Sequence, residues 1–222
     1  RGRLLAVAAD EFPTDQYVLE ELARFSDAPL ARLQPQDDIP ADAVLVRSLV
    51  HYKTAAVADM AASEREAAAK GADIIWDLSH ATGVIVIDAR ANGARFAVGC
   101  GYKYLNGGPG APAFIYARND ESAWLSPELA GWMGAKAPFD FSSRYEPAEC
   151  VQRFAAGTPA VLSLTALDAA LDLFEGVDLS ALEAKARALG DMFLTAGAAA
   201  GPVGAAVGAV APARHALQRL LA

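Results

Sequence analysis

Apolar residues fall along the chain in short runs: LLAVAA (4–9), AVLVRSLV (43–50), DIIWDL (73–78), VIVID (84–88), FAVGC (96–100) and AFIYA (113–117). Most are continuous rather than alternating, the pattern of strands covered on both faces. Between and after them the period becomes helical. TDQYVLEELARF (14–25) offers Thr14 or Asp15 as an N-cap, with acids in its first turns. TAAVADMAASEREAAAKG (54–71) runs from a threonine cap to a glycine stop. LSLTALDAALDLFEG (162–176) and DLSALEAKARALGDMFLTAG (178–197) are strongly helical. Strand–helix alternation predicts an α/β chain, a mostly parallel sheet with helices on both faces. In such sheets ligands bind beyond the carboxyl ends of the strands. From about residue 196 the pattern dissolves into AGAAAGPVGAAVGAVAPA, low in complexity and poor in large apolar side chains.

Composition narrows the function classes. The 222 residues suffice for one large α/β domain, and a charged fraction of 21% is ordinary for a globular protein. The net charge of −8 argues against nucleic acid as the main partner, because phosphate contacts need clustered Lys and Arg. No apolar run approaches the ~20 residues of a membrane span, so no membrane partner is expected. The two cysteines, Cys100 and Cys150, form neither a disulfide framework nor a metal-binding spacing, which suits a reducing cytoplasm; no metal site is expected. The chain opens on RGRLLAVAAD, without Met and almost at once in a strand, which reads as a piece of something longer.

Two motifs lie where strands should end. WDLSH (76–80) brings Asp77 and His80 to the sheet edge. A carboxylate there can hold a protonated ring nitrogen of a ligand, since the ion pair stabilises both charged forms. The same motif also reads as a capping aspartate with a hydrogen-bonded histidine. GYKYLNGGPG (101–110) sets Lys103 between Tyr102 and Tyr104 just past a strand. A lysine partly desolvated among aromatics can attack a carbonyl, the neighbouring phenol can bind phosphate or move a proton, and the glycines let the backbone turn sharply. A lone lysine in a loop is more often simply solvated. Together, a carboxylate for a pyridinium and a lysine for an aldehyde are what pyridoxal phosphate requires.

FPTD (12–15), WDLSH (76–80), FAVGCGYKYLNGGPGAPAFIYA (96–117), GWMG (131–134) and YEPA (145–148) together resemble the kynureninase family, over roughly residues 4 to 195. The resemblance implies the type I, aspartate-aminotransferase-like fold and the cofactor pyridoxal 5'-phosphate. It implies residues 1–176 as a large cofactor-binding domain. Residues 177–222 would be a connecting helix and the start of a small C-terminal domain. Lys103 would carry the cofactor and move the substrate's α-proton. Tyr102 would bond the phosphate and assist proton transfer. Asp77 would pair with the pyridinium nitrogen, with His80 close to the ring. Phe12 would stack on the ring, and Pro13, Thr14 and Asp15 belong to the same cofactor-lining FPTD segment. Ser48 matches a family Thr or Ser near the cofactor. Trp132 and Thr158 match phosphate-region residues that the family supplies across a homodimer interface.

The implied reaction is hydrolysis of L-kynurenine or its 3-hydroxy form to the corresponding anthranilate and L-alanine, in tryptophan catabolism. The alternatives are a related enzyme of the same fold, such as a cysteine desulfurase or aminotransferase-like protein, and a non-catalytic dimer-forming module. There are departures from the family pattern. Around 48–53 the family reads closer to T-H-V-N-Y-K-T, whereas Leu49 and His51 stand here in place of His and Asn. A phosphate-binding hydroxyl loop and a substrate-carboxylate arginine in an Arg-Phe-Gly-Phe-like segment have no counterpart; Arg214 and Arg219 lie in an unrelated context. The chain alone is therefore expected to hydrolyse little kynurenine.

Overall fold

The computed structural model describes residues 2–122 and 125–199. Four of the predicted runs form parallel strands: β1 (Leu5–Ala8), β3 (Val44–Ser48), β4 (Asp73–Asp77) and β5 (Phe96–Cys100). With β2 (Leu30–Leu33) and β6 (Ala113–Ala117) they build one six-stranded sheet in the order β2-β1-β3-β4-β5-β6. Only β6 runs antiparallel, because the short 101–112 loop returns the chain directly beside β5. Helices α1 (Pro13–Ser26) and α2 (Met60–Ala69) connect β1 to β2 and β3 to β4. A short α3 (Asn119–Ser122), 3-10 turns, α4 (Val161–Leu171) and α5 (Leu179–Ala199) follow.

Side-chain alternation divides the sheet's two faces. Ala6, Leu45, Ile74, Trp76 and Ala97 point into the main core, with Met60 and Ala67 of α2. On the other face Val7 and Val46 pack against Leu19 of α1, with Ile75 beside them. Farther along that face the cover thins, and Val98 and Ile115 are 38% and 50% exposed.

Three expectations need correction. VIVID (84–88) is not a strand: Leu78 and Ala81 carbonyls take the amides of Ala81 and Ile85 in successive turns, and Gly83 sits at φ +90°. Val84 and Ile85 are nonetheless buried in the main core, so the apolar run reports burial while packing, not β-propensity, decides the backbone. Second, LARL (30–33) forms the edge strand β2, too short and too partly exposed to stand out as an apolar run. Third, the helix caps move. The α2 helix starts at Met60 under Asp59, whose Oδ1 accepts the Ala62 amide at 2.9 Å, while Thr54 belongs to a turn bonded to His51. Helix α1 starts at Pro13, whose fixed φ suits a first helical position, and Phe12 caps it with no side-chain bond. Neither Thr14 nor Asp15 is its cap.

The low-complexity stretch from residue 200 onward, with Arg214 and Arg219, lies outside the described residues.

Candidate active site

Three strand ends and one loop build a polar cluster. Asp77 is the last residue of β4, and in register it lies beside Ser48 at the end of β3 and Val98 of β5. Its Oδ1 accepts the Ser79 amide at 2.7 Å, which turns the chain away from the sheet toward His80. Helix α1, entering from the end of β1, lays its first turn over the same face and brings Asp15 to Asp77.

Lys103 arrives from β5. The Gly101 amide donates to the Pro112 carbonyl at 2.9 Å, Asn106 N–H to the Lys103 carbonyl at 3.0 Å, and Gly107 N–H to the Gly101 carbonyl at 3.0 Å. A Cβ on Gly101 would meet the Pro112 oxygen at 2.7 Å, so only glycine lets this loop close. The NGGPG segment is therefore a tight return to β6, and its closure projects Lys103 back over the sheet edge. Lys103 Nζ donates to His80 Nε2 at 3.0 Å and lies 5.7 Å and 5.6 Å from the ring centres of Phe12 and Tyr102. The Phe12 ring also meets Tyr52 and His80 edge-on, at 5.2 and 6.2 Å.

The electrostatics of the carboxylates are unusual. Asp15 is pushed up to about 7, first by burial, then by the charges of Asp77 and Glu11, with Lys103 pulling the other way. The helix N-terminus would favour the ionised form by only about 0.3–1 kcal/mol, too little to offset these effects. Burial beside Asp77 thus favours the protonated form of Asp15 up to near neutral pH, and its Oδ2 is buried without a hydrogen-bond partner. A buried acceptor without a donor, beside a second carboxylate, is a place for a cationic N–H.

The expected residues separate into two groups. Phe12, Asp15, Asp77, His80, Tyr102 and Lys103 converge. Pro13 starts α1 behind Phe12, and Thr14 is exposed on its first turn. Ser48 is at the right strand end, but its hydroxyl donates to Glu11 Oε1 at 2.7 Å and its amide to Glu11 Oε2 at 2.8 Å. Trp132 lies in a 3-10 turn against Phe139, at 5.7 Å, and is 42% exposed; Thr158 is exposed in the loop before α4. No hydrogen bond or ring contact among the described residues joins either to the cluster. A cavity of about 600 Å³ beside Trp132, lined also by Lys136, Phe141, Arg144 and Tyr145, holds none of the converging residues.

Sequence reasoning missed Glu11 and Tyr52. Glu11 stands in AADEFP, where an acid after a strand usually faces water; its only signal is its place immediately before FPTD. His51, substituted into the 48–53 segment, is held on both nitrogens: Nε2 lies 3.1 Å from the Asp10 carbonyl, and Nδ1 accepts the Thr54 amide at 3.2 Å.

Comparisons with known proteins agree with this architecture. Residues 16–213 match the model of the aminotransferase class-V family. A kynureninase of Deinococcus radiodurans is 44% identical over 197 residues, covering 86% of this chain and 48% of that protein. One from Pseudomonas fluorescens is 36% identical over 201 residues, covering 86% and 48%. The chain spans about half the length of the curated relatives it matches. Among solved structures, the apo cysteine desulfurase of Thermococcus onnurineus NA1 aligns with TM-score 0.72 at 21% identity, over 89% of this chain and 51% of that one. A mutant of the cystine C–S lyase C-DES with glycine covalently linked to its PLP cofactor aligns with TM-score 0.75 at 16% identity, over 91% and 57%. At these identities the solved structures share the fold.

Proposed function

Because this chain belongs to the aminotransferase class-V family, we propose that its site binds pyridoxal 5'-phosphate and serves hydrolysis of L-kynurenine, or 3-hydroxy-L-kynurenine, to the corresponding anthranilate and L-alanine. The observation that carries this reading is a single amine, Lys103 Nζ, poised over an aromatic ring and facing a buried carboxyl pair with an unfilled acceptor. The residues fit the cofactor's ring. Asp77 and Asp15 would hold its protonated nitrogen, Phe12 would lie against its face, and Lys103 would take its aldehyde.

When bound, the cofactor supplies an electron sink for charge developing at the substrate's α-carbon. The chain's own residues supply the rest. Lys103 Nζ moves the α-proton, and His80 Nε2 at 3.0 Å holds that amine toward the ring. The Asp77 carboxylate would hold the ring nitrogen in its charged form, which suits the ring to accept electrons. Tyr102, 48% exposed beside Lys103, would bond phosphate and deliver a proton to the β-carbanion that remains when the Cβ–Cγ bond breaks and the anthranilate leaves. Trp132 and Thr158, away from this cluster, suit a role toward a second copy in a homodimer. Residues 1–176 would form the cofactor-binding part and 177–222 would begin a second, smaller one, of which residues 200–222 lie outside the described residues. The free cysteines, Cys100 and Cys150, suit a cytoplasmic setting; among the described residues no helix is long and apolar enough to cross a membrane.

A cysteine desulfurase or aminotransferase-like reaction is the second reading, since such enzymes share the fold. The kynureninases, at 34–44% identity, are much nearer in sequence. The test has two stages. Incubation with pyridoxal phosphate, borohydride reduction and peptide mass spectrometry should place the label on Lys103. Product analysis after prolonged incubation with L-kynurenine against L-cysteine should then give a small yield of anthranilate from the first, in keeping with the low turnover expected of this chain, and no sulfide from the second. A label on another lysine, or none, would reject the assignment.

A further inference from the structure

Glu11 is a buried charge that the chemistry above does not use. It is 3% exposed, and no salt bridge reaches it among the described residues. Burying a carboxylate without a cation is costly unless hydrogen-bond donors surround it. Here they do. Oε1 accepts the Phe12 amide at 2.9 Å and the Ser48 hydroxyl at 2.7 Å, and Oε2 accepts the Ser48 amide at 2.8 Å. The donors come from two segments far apart in the chain, the β1–α1 turn and the end of β3. Gln16 Nε2 closes the turn from the helix side by donating to the Glu11 carbonyl at 2.8 Å.

A neutral side chain could link the same two segments without placing a third negative charge beside Asp15 and Asp77. The charge therefore needs a reason beyond folding. Each donor it accepts fixes something the site uses: the Phe12 amide sets the ring that lies under Lys103, and Ser48 is the register neighbour of Asp77. We infer that Glu11 is a positioning residue: its buried carboxylate clamps the β1–α1 turn to the end of β3 and so holds Phe12 and Asp15 facing Asp77 and Lys103. The inference rests on the reading that this site receives a pyridinium ring. The charge has a second effect. Asp15 is faced by Asp77, Glu11 and Lys103, and Glu11 adds to the repulsion that pushes Asp15 up.

Glu11→Gln in the full 222-residue chain tests this. Glutamine keeps one acceptor oxygen but turns an NH₂ toward a donor, so at least one bond is lost along with the charge. Pyridoxal-phosphate affinity, from absorbance titration, should fall about tenfold to hundredfold, the range for losing a hydrogen bond to a charged group. Ser48→Ala removes one donor and keeps the charge; its affinity should fall by roughly threefold to tenfold. A cofactor-free readout accompanies them. The Asp15 carboxyl, followed by carbon-13 NMR and assigned with Asp15→Asn, should titrate at lower pH in Glu11→Gln than in the parent, which a merely structural link would not cause. An unchanged Asp15 midpoint, together with affinity within about twofold of the parent in both variants, overturns the role of Glu11 alone. A parent chain that forms no reducible adduct on Lys103 overturns the cofactor reading and this inference with it.

Discussion

Strand β4, DIIWD, begins and ends with aspartates that are almost equally buried, Asp73 at 8% and Asp77 at 7% exposed. Four residues apart, they lie on the same face of the sheet. Their surroundings are opposite. Asp73, at the amino end, is gripped by Arg3 through one oxygen and by Arg95 through the other. Arg95 in turn holds Glu121 with two bonds, of 2.6 and 2.7 Å, and Arg3 spreads over the carbonyls of Asp42, Ala43 and Gly71. The guanidinium of Arg95 is pushed up by these partners, Glu121 first. Asp77, at the carboxyl end, meets Asp15, a carboxyl that is itself acted on by Glu11 and by the Lys103 amine. A buried acid that is fully paired holds structure together. One set against like charge raises the energy of the folded chain, and it becomes useful only when something positive arrives. On the proposed function, the two ends of one strand separate stability from chemistry.

Predictions test that separation. The largest effect should come at the amine: Lys103→Ala should abolish the borohydride-reducible adduct while circular dichroism shows the fold retained, and an adduct surviving in the variant would reassign the nucleophile. Next, Asp73→Ala should destabilise the chain by about 2 kcal/mol in urea unfolding, because Arg3 and Arg95 each lose a charge-assisted bond while keeping their other partners, and leave labelling of Lys103 intact. Equal damage to both properties would erase the contrast between the strand ends. Asp77→Asn should do the reverse: stability should hold or rise, while pyridoxal-phosphate affinity falls by about tenfold, as expected for roughly 1.4 kcal/mol of lost ion pairing.

The smallest effect is a pH slope. Asp15 titrates near 7 when folded against 3.8 when unfolded, so between these values the unfolded chain binds fewer protons. Stability should therefore fall as pH rises from about 4 to 7, by about 1–2 kcal/mol after allowance for solvent screening. Asp15→Asn should flatten that slope and leave the acid side below pH 4 unchanged. A slope that persists in the variant would move the titration to another group.

How much of this was legible in the sequence varied with the kind of feature. Lys103 and Asp77 were legible because each closes an apolar run, and a strand's end is a place that periodicity marks. The α1, β3, β4, β5 and β6 segments follow for the same reason. VIVID misled because β-branched residues mark burial as well as strands, and here Val84 and Ile85 are buried in turns. Glu11 escaped notice because nothing local distinguishes an acid that meets water from one that meets the Ser48 hydroxyl and amide.

The sequence by itself determined which residue types arrive at the sheet's carboxyl edge and in what order: FPTD after β1, Ser48 after β3, Asp77 after β4, Lys103 after β5. Hydrophobic period and turn chemistry are local, and they suffice to end a strand at a given residue. Only the tertiary structure decided the charge states and partnerships. The proton on Asp15 depends on Asp77 and Glu11, the clamp on Ser48 joins positions 37 residues apart, and the pairing that neutralises Asp73 brings Arg3 across 70 residues. Coulomb interactions and desolvation act through space, over distances that folding alone sets, so two aspartates of one five-residue strand came to opposite surroundings.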